Sequence, residues 1–483
     1  MWNIILCIVG VVIVGITHWV YRWRNPKCKG VLPPGSMGLP LIGETLQYFS
    51  KSPYEGIPPF IANRTAKYGT LFKTSLVGQP IVISTDPEVN YYVFQQEDKL
   101  FQCSYTKSAV ELSGKKGLMG NGGSAHKYLR NLVLSLTGPD KLKTKLVTDV
   151  DFITRQHLQR WTTQGDIEVK DASEIMLFIF IAGKILGMDE KEALTLRGHY
   201  KAFVKGFLSF PINLPGTAFH SGLQGRKSAI KMIKDIFEKR RSSKEKSNEQ
   251  DFIDHLLQEI DKEDTFITED TAVDLIFFVI FAAHETTSST MTLLFKYFTE
   301  HPDVLRQLKE EHENIIRNRE NKDAPISWVE YKSMTFTHKV TNETVRLANI
   351  APGIFRKVLK DVEIKGYTIP EGWTMVVCSP SVHLDENMYD NPLEFNPSRW
   401  KDEELHGASK RFMAFGGGNR MCVGADLSKM QTSIFIHYLM TSFRWNVTNK
   451  GNIIRQPYLN FNDGIRIRVH ENNQRESNKE ITT

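Results

Sequence analysis

The sequence predicts a chain dominated by α-helices, with one clear β-hairpin, behind an N-terminal helix that crosses a membrane. Three patterns lead there. Trp2 to Tyr21 is almost wholly apolar, and about 20 such residues suffice for a helix to span a bilayer. Ala272 to Phe298 is apolar on so many sides that it reads as a long buried helix. From Ala425 onward, Leu427, Met430, Ile434, Ile436, Tyr438, Leu439 and Phe443 supply the apolar face of another helix.

At 483 residues, 41% hydrophobic and 24% charged, the chain has globular proportions and accommodates one large domain plus an anchor. Cysteines stand at positions 7, 28, 103, 378 and 422. They form no Cys-x-x-Cys pair and no even framework, which argues against a zinc site or a secreted disulfide scaffold and for a reducing compartment. Arg22, Arg24, Lys27 and Lys29 follow the apolar run, with no small-x-small cleavage site after it. An uncleaved anchor is therefore favoured over a signal peptide, with the rest of the chain on the cytosolic side. A net charge of +6 suits a body beside anionic lipid or an acidic protein; no nucleic-acid partner is expected.

In chain order, Leu32 to Pro40 holds three prolines and two glycines, which exclude regular helix and make a stiff connection between anchor and body. Leu71–Leu76 and Pro80–Ser84, broken by Gly78, read as the hairpin. Phe101 to Ser124 reads as irregular, and His126 to Arg130 begins a helix. Phe207 to Thr217, with two prolines and a glycine, is a turn between helices; its apolar side chains either dip into a membrane surface or pack on the body. Ile233 to Asp251 is a solvated, charged helix end, and His470 to Thr483 a polar tail.

In the middle of the long helix stands Ala282-Ala283-His284-Glu285-Thr286-Thr287-Ser288-Ser289-Thr290, polar where the pattern calls for apolar residues. A threonine here can turn its hydroxyl onto the i−4 carbonyl, for Thr286 that of Ala282, and bend the helix. Glu343 and Arg346 lie at i and i+3, close enough on one helical face to pair. Ala351 to Arg356 is extended by its proline and glycine, and Phe395 to Trp400 supplies a further arginine, Arg399. The last stretch, Phe415-Gly-Gly-Gly418-Asn-Arg420-Met-Cys422-Val-Gly424, sets one thiol among glycines just before a helix N-terminus. Two readings stand. Cys422 is a small buried residue in a turn, or it is a thiolate favoured by the helix end, which as a lone soft ligand suits an iron held in a porphyrin.

The full string Phe415, Gly418, Arg420, Cys422 and Gly424 fills every place of Phe-x-x-Gly-x-Arg-x-Cys-x-Gly, and the chain resembles the cytochrome P-450 family. The likeness extends through anchor, proline segment, oxygen-helix motif, Glu-x-x-Arg and Phe-x-Pro-x-Arg in family order. It implies a mainly α fold with small β-sheets, haem b with Cys422 as axial ligand, and a monooxygenase fed with electrons by an NADPH-oxidising cytochrome P-450 reductase. By the same resemblance Ala282, Ala283, Glu285, Thr286 and Thr287 match the oxygen motif, with Thr286 and Glu285 catalytic and Ala283 replacing the usual glycine. Arg130, Arg356 and Arg420 clamp the haem propionates, and His126 takes the place of a family tryptophan. Glu343, Arg346 and Arg399 form a structural network, and Ala282, Ala283, Ile354 and Phe355 touch substrate. From charge and position, not from the resemblance, Lys410, Arg411 and Lys429, which flank the Cys422 loop, are expected to form a reductase dock.

The expected organisation is a transmembrane anchor over 1–21, a basic and proline-rich hinge over 22–43 and a monooxygenase domain over 44–483, held on the endoplasmic reticulum membrane with the domain cytosolic. The loop before Ala218 and the Phe412-Met-Ala-Phe approach to Cys422 are similar to the plant branch oxidising triterpenoids and sterols, and within it to triterpenoid oxidases of its eighty-seventh family. This implies O2-dependent oxidation of a triterpenoid scaffold. A sterol oxidase with side-chain cleavage is the second reading, ahead of a haem-thiolate isomerase or a non-catalytic haem sensor.

Overall fold

The computed structural model describes residues 2–207, 209–242, 251–263, 265–404, 409–456 and 458–472. The charged residues 243–250 and most of the polar tail, 473–483, lie outside the described residues. The apolar run is the helix Trp2–Arg24, about 34 Å at 1.5 Å per residue, against about 30 Å of bilayer hydrocarbon. Trp2, Ile5, Val9, Ile13 and Ile16 along it are exposed. Near its end Trp23 Nε1 donates to the Met37 carbonyl at 3.3 Å. The proline-rich segment, expected as a hinge, is docked on the body: Lys73 donates its N–H to the Pro34 carbonyl (2.8 Å) and its ammonium to the Pro33 carbonyl (3.0 Å).

The hairpin forms as Leu71–Leu76 and Gln79–Ser84, with Val77 and Gly78 at positive φ in its two-residue turn. Val77 N–H donates to Thr45 Oγ1 at 2.7 Å, which holds a β-branched residue in that conformation. The hairpin continues into a five-stranded sheet through Thr374–Cys378, Gly353–Val358 and Phe101–Cys103. Its one parallel pairing joins Gln79–Ser84 to Thr374–Cys378. The other described sheets are small, two of three strands and one of two.

Helices form the other half. The long helix is Glu269–Glu300, capped by Thr268 Oγ1 and packed against the helices Val169–Leu186, Ala218–Ser242, Thr335–Ala348 and Ala425–Thr441. Phe277, Ile280, Leu293 and Phe295 carry it through the main hydrophobic core. The stretch expected to be irregular, Phe101 to Ser124, instead holds the strand Phe101–Cys103 and the helix Lys107–Ser113. The strand forms because Phe101, fully buried, pairs with Val358; the helix starts where Thr106 Oγ1 accepts the Ala109 N–H. The helices Glu190–Phe207 and Ala218–Ser242 flank the apolar turn, of which residue 208 lies outside the described set.

The network expected around Glu343 is assembled at the end of the helix Thr335–Ala348. Arg346 grips Glu343 with Nε to Oε2 (2.9 Å) and Nη2 to Oε1 (2.8 Å), and Arg399 Nε, Trp400 Nε1 and the Asn396 N–H each reach the same carboxylate at 3.0 Å. Both Glu343 and Arg346 side chains are 0% exposed, so their stability rests on complete pairing. Arg346 Nη1 also donates to the carbonyls of His383 (2.5 Å) and Pro392 (2.7 Å). His383 passes the order on: its Nε2 accepts the Met413 N–H at 3.1 Å, which requires the proton on Nδ1, donated to Asn349 Oδ1 at 2.7 Å. Met413 opens the approach to the Cys422 loop.

Glu343→Gln leaves two guanidiniums without their anion in a dry site and is expected to cost about 3–5 kcal/mol, read as a lower denaturation midpoint or, below threshold, loss of folded protein. Burial, with Arg346 adding to it, pushes the His383 pKa down to about 3. Its unfolded value is about 6.5, so between those values the unfolded chain binds the extra proton, and folding stability falls as pH drops, by up to about 1.4 kcal/mol per pH unit. Urea midpoints measured from pH 7 to pH 5 should therefore decline less steeply in His383→Gln than in the natural protein.

Candidate active site

The Cys422 loop is held by its backbone. The Cys422 N–H donates to the Phe415 carbonyl at 2.9 Å, closing a loop in which Gly416 and Gly418 take positive φ. A Cβ at Gly418 would sit 2.1 Å from the Phe94 carbonyl, so only glycine lets the loop lie on the end of the helix Pro87–Gln95. Gly424 then caps the helix Ala425–Thr441. Cys422 is solvent-accessible although neighbouring protein atoms surround it. The Gly424 N–H at the helix end and the Arg130 charge favour the anion, as expected for the helix end, but burial is the larger effect and pushes the thiol's pKa up. An anionic sulfur here calls for a cation bound to it.

Arg130, on the helix Gly123–Thr137, lies against the loop with Nη1 donating to the Met421 carbonyl at 2.5 Å. Arg420 directs Nε to Glu97 Oε1 (3.0 Å), Nη1 to the Leu118 carbonyl (3.2 Å) and Nη2 to the Asn121 carbonyl (2.7 Å). Arg356 Nε stands 2.7 Å from the other oxygen of Glu97, and its Nη1 donates to the Phe355 carbonyl at 3.0 Å. Of Arg420's five N–H bonds, these contacts leave one on each terminal nitrogen. His126 is buried in the same neighbourhood; burial and then the positive charges of Arg420 and Arg130 lower its pKa to about 4, which keeps it neutral.

On the long helix Thr286 is accessible and its hydroxyl donates to the Ala282 carbonyl at 3.0 Å, the i−4 bond foreseen in the sequence. The lone pairs of Oγ1 remain as acceptors. Thr287 Oγ1 ties this helix to the one that follows Cys422 through Ser428 Oγ at 3.0 Å. Ala283 packs against the main core, and His284 lies in an aromatic cluster, its ring centroid 4.9 Å from that of Phe178. Glu285 does not stand free beside Thr286. Its Oε1 is 3.0 Å from Lys170 Nζ, which also pairs with Glu174. Burial works against the Lys170 ammonium, but Glu285 and Glu174 outweigh it and its pKa is raised. Glu174 in turn meets Arg197 (2.9 Å), Arg197 meets Asp171 (2.6 Å), and Asp171 meets Lys201 (2.8 Å) at the surface.

Ile354 and Phe355, expected to touch substrate, point to opposite faces of their strand: Ile354 packs with the core of Val93, Phe94 and Met413, and Phe355 with that of Phe60, Phe72 and Val376. One expectation is corrected by burial. Lys429 is not a surface docking residue; it is buried, with Nζ 5.5 Å from the Phe415 ring centre and its pKa lowered by burial to about 8. Lys410 and Arg411 remain exposed, paired with Glu88 (2.7 Å) and Glu404 (3.4 Å). Sequence reasoning missed Glu97, Lys170 and His383, each of which acts on a partner far away along the chain.

A haem fits these residues. An enclosed but accessible thiol ends the proximal loop, a Cβ at Gly424 would meet no protein atom within 4 Å, and the arginine cluster next to the thiol offers N–H groups suited to carboxylates. Comparison with known proteins agrees. Residues 33–462 match the family Cytochrome P450. The chain is 48% identical to Cytochrome P450 87A3 of Oryza sativa subsp. japonica, over 94% of this chain and 89% of that protein. It is 42% identical to a beta-amyrin 16-alpha-hydroxylase of Maesa lanceolata (98% and 100% covered) and 39% identical to a cucurbitadienol 11-hydroxylase of Siraitia grosvenorii (97% and 99%). In fold it matches retinoic acid bound cyanobacterial CYP120A1 with a TM-score of 0.81 at 24% identity, over 92% of this chain and 100% of that one. The thiol loop, the fold and these likenesses together establish that the chain belongs to the cytochrome P450 family and is a haem-thiolate monooxygenase.

Proposed function

We propose that the protein hydroxylates or further oxidises a triterpenoid scaffold of the β-amyrin or cucurbitadienol kind, using O2 and electrons from an NADPH-dependent reductase, while anchored by a single helix in the endoplasmic reticulum membrane. The observation that carries the substrate class is the 42% and 39% identity, over nearly full length, to two hydroxylases named for such substrates. The catalytic act replaces C–H by C–OH, with the second oxygen atom leaving as water after two electrons and two protons are taken up.

In this reading Cys422 Sγ holds the iron, and Arg130, Arg356 and Arg420 face the haem carboxylates. Haem, when bound, supplies oxygen activation. The chain supplies the protons. Thr286 Oγ1, already donating to the Ala282 carbonyl, presents its lone pairs to the chamber and receives a hydrogen bond there. Glu285 is the carboxylate that passes a proton towards Thr286, and it sits at the inner end of a charged series of Lys170, Glu174, Arg197 and Asp171, the last 43% exposed, which holds it in place. The apolar skeleton reaches the site from the membrane side, where Phe210, Ile212 and Leu214 are exposed and Phe210 touches Phe49 (ring centroids 5.7 Å) beside exposed Leu41, Ile42 and Leu46.

Microsomes holding the protein and a plant reductase, given a triterpene panel and a sterol panel with and without NADPH, test the assignment. A hydroxylated triterpene formed only with NADPH is expected; product from sterols alone would transfer the assignment to the sterol reading, and product without NADPH would exclude a monooxygenase reaction. Thr286→Ala should keep the thiolate-type carbon monoxide band but yield on the order of 10²-fold less product per NADPH consumed. With residues 1–24 removed, the remaining body is expected to bind phosphatidylcholine vesicles, and a Phe210→Ser, Ile212→Ser, Leu214→Ser triple variant of it is expected to float free in sedimentation.

A further inference from the structure

Glu97 stands where no motif in the sequence points. It follows the helix Pro87–Gln95, its side chain is 1% exposed, and it is the carboxylate shared by two of the three arginines beside the Cys422 loop. Oε1 accepts from Arg420 Nε (3.0 Å) and from the Cys103 N–H (2.8 Å); Oε2 lies 2.7 Å from Arg356 Nε. Two guanidiniums brought together in a buried site repel each other strongly, and one carboxylate between them offsets that repulsion while fixing their separation. The count of charge is informative. Arg130, Arg356 and Arg420 bring three positive charges and Glu97 one negative charge, which leaves two positive charges against a ligand carrying two carboxylates.

We propose that Glu97 is a positioning residue of the haem site: it holds Arg356 and Arg420 at the spacing of two ligand carboxylates and trims the site to the charge of a dianion. The assignment rests on the haem-thiolate reading above and adds a residue to it. Charge and reach make separable predictions. Glu97→Gln keeps the length and one acceptor but removes the negative charge. Glu97→Asp keeps the charge but shortens the side chain by one CH₂, so it cannot span both arginines.

Full-length wild-type, Glu97→Gln and Glu97→Asp proteins are compared by the reduction potential of the bound haem, by the rate of haem transfer to apomyoglobin, and by the carbon monoxide spectrum of the reduced form. Loss of a nearby negative charge favours the added electron, so Glu97→Gln is expected to shift the potential positive without faster haem transfer. Glu97→Asp is expected to keep the wild-type potential and release haem several-fold faster. If Glu97→Gln fails to load haem while Glu97→Asp loads it, the charge assignment is upheld through binding. An unchanged potential in loaded Glu97→Gln, or a Glu97→Asp protein that matches wild type in haem transfer, overturns the proposal. Absence of a thiolate-type band in wild type would overturn the haem-thiolate reading itself, which the other outcomes leave intact.

Discussion

A cysteine sulfur that is to hold a metal in a protein interior must be placed by the backbone, because its own pKa works against the anion there. Burial outweighs the Gly424 N–H and the Arg130 charge at Cys422. What remains to define the site is the closure of the loop, with the Cys422 N–H on the Phe415 carbonyl and Gly418 laid on the Phe94 carbonyl. Every other part of the site is arranged with respect to that loop. His383 receives the N–H of Met413 on one side, Arg130 donates to Met421 on the other, and the Thr287 to Ser428 bond sets the long helix opposite.

Charge is distributed in two contrasting ways around this loop. The Glu343 carboxylate accepts from Arg346, Arg399, Trp400 and Asn396, a closed network with no bond left for a ligand. Such a network specifies geometry, since its desolvation cost is recovered only when all partners are in place. The arginines beside the Cys422 loop form an open network, with more guanidinium than carboxylate and unused N–H groups. A closed network supports the chain; an open one calls for an anion.

The parts of this arrangement that lie within one helix or one hairpin were legible in the sequence. The hairpin, the long helix, the helix after Cys422 and the Thr286 bond to Ala282 follow from periodicity, turn chemistry and i−4 spacing. What was missed depends on pairings of distant residues: Glu285 with Lys170 across 115 positions, and Arg420 with Glu97 across 323. Local pattern carries no record of such partners. Lys429 was misplaced because a basic residue in the first turns of a helix reads as surface, whereas its stem is covered and its ammonium sits by the Phe415 ring. The Ser- and Gly-rich look of 101–124 hid a strand made by a single buried phenylalanine and its partner Val358.

In the proposed reading of Glu285 as proton donor, its position sets how a proton reaches Thr286 on the long helix. Residues adjacent on a helix diverge by about 100°, and in the structure Thr286 is exposed while Glu285, 27% exposed, is turned to Lys170. Transfer therefore needs the carboxylate to leave Lys170. Releasing a buried partner is ordinarily costly, because the ammonium would be stranded. Here Lys170 is also paired with Glu174, and Glu174 with Arg197, so the ammonium keeps a counter-ion when Glu285 turns away. The second carboxylate thus offsets part of the cost of that rotation.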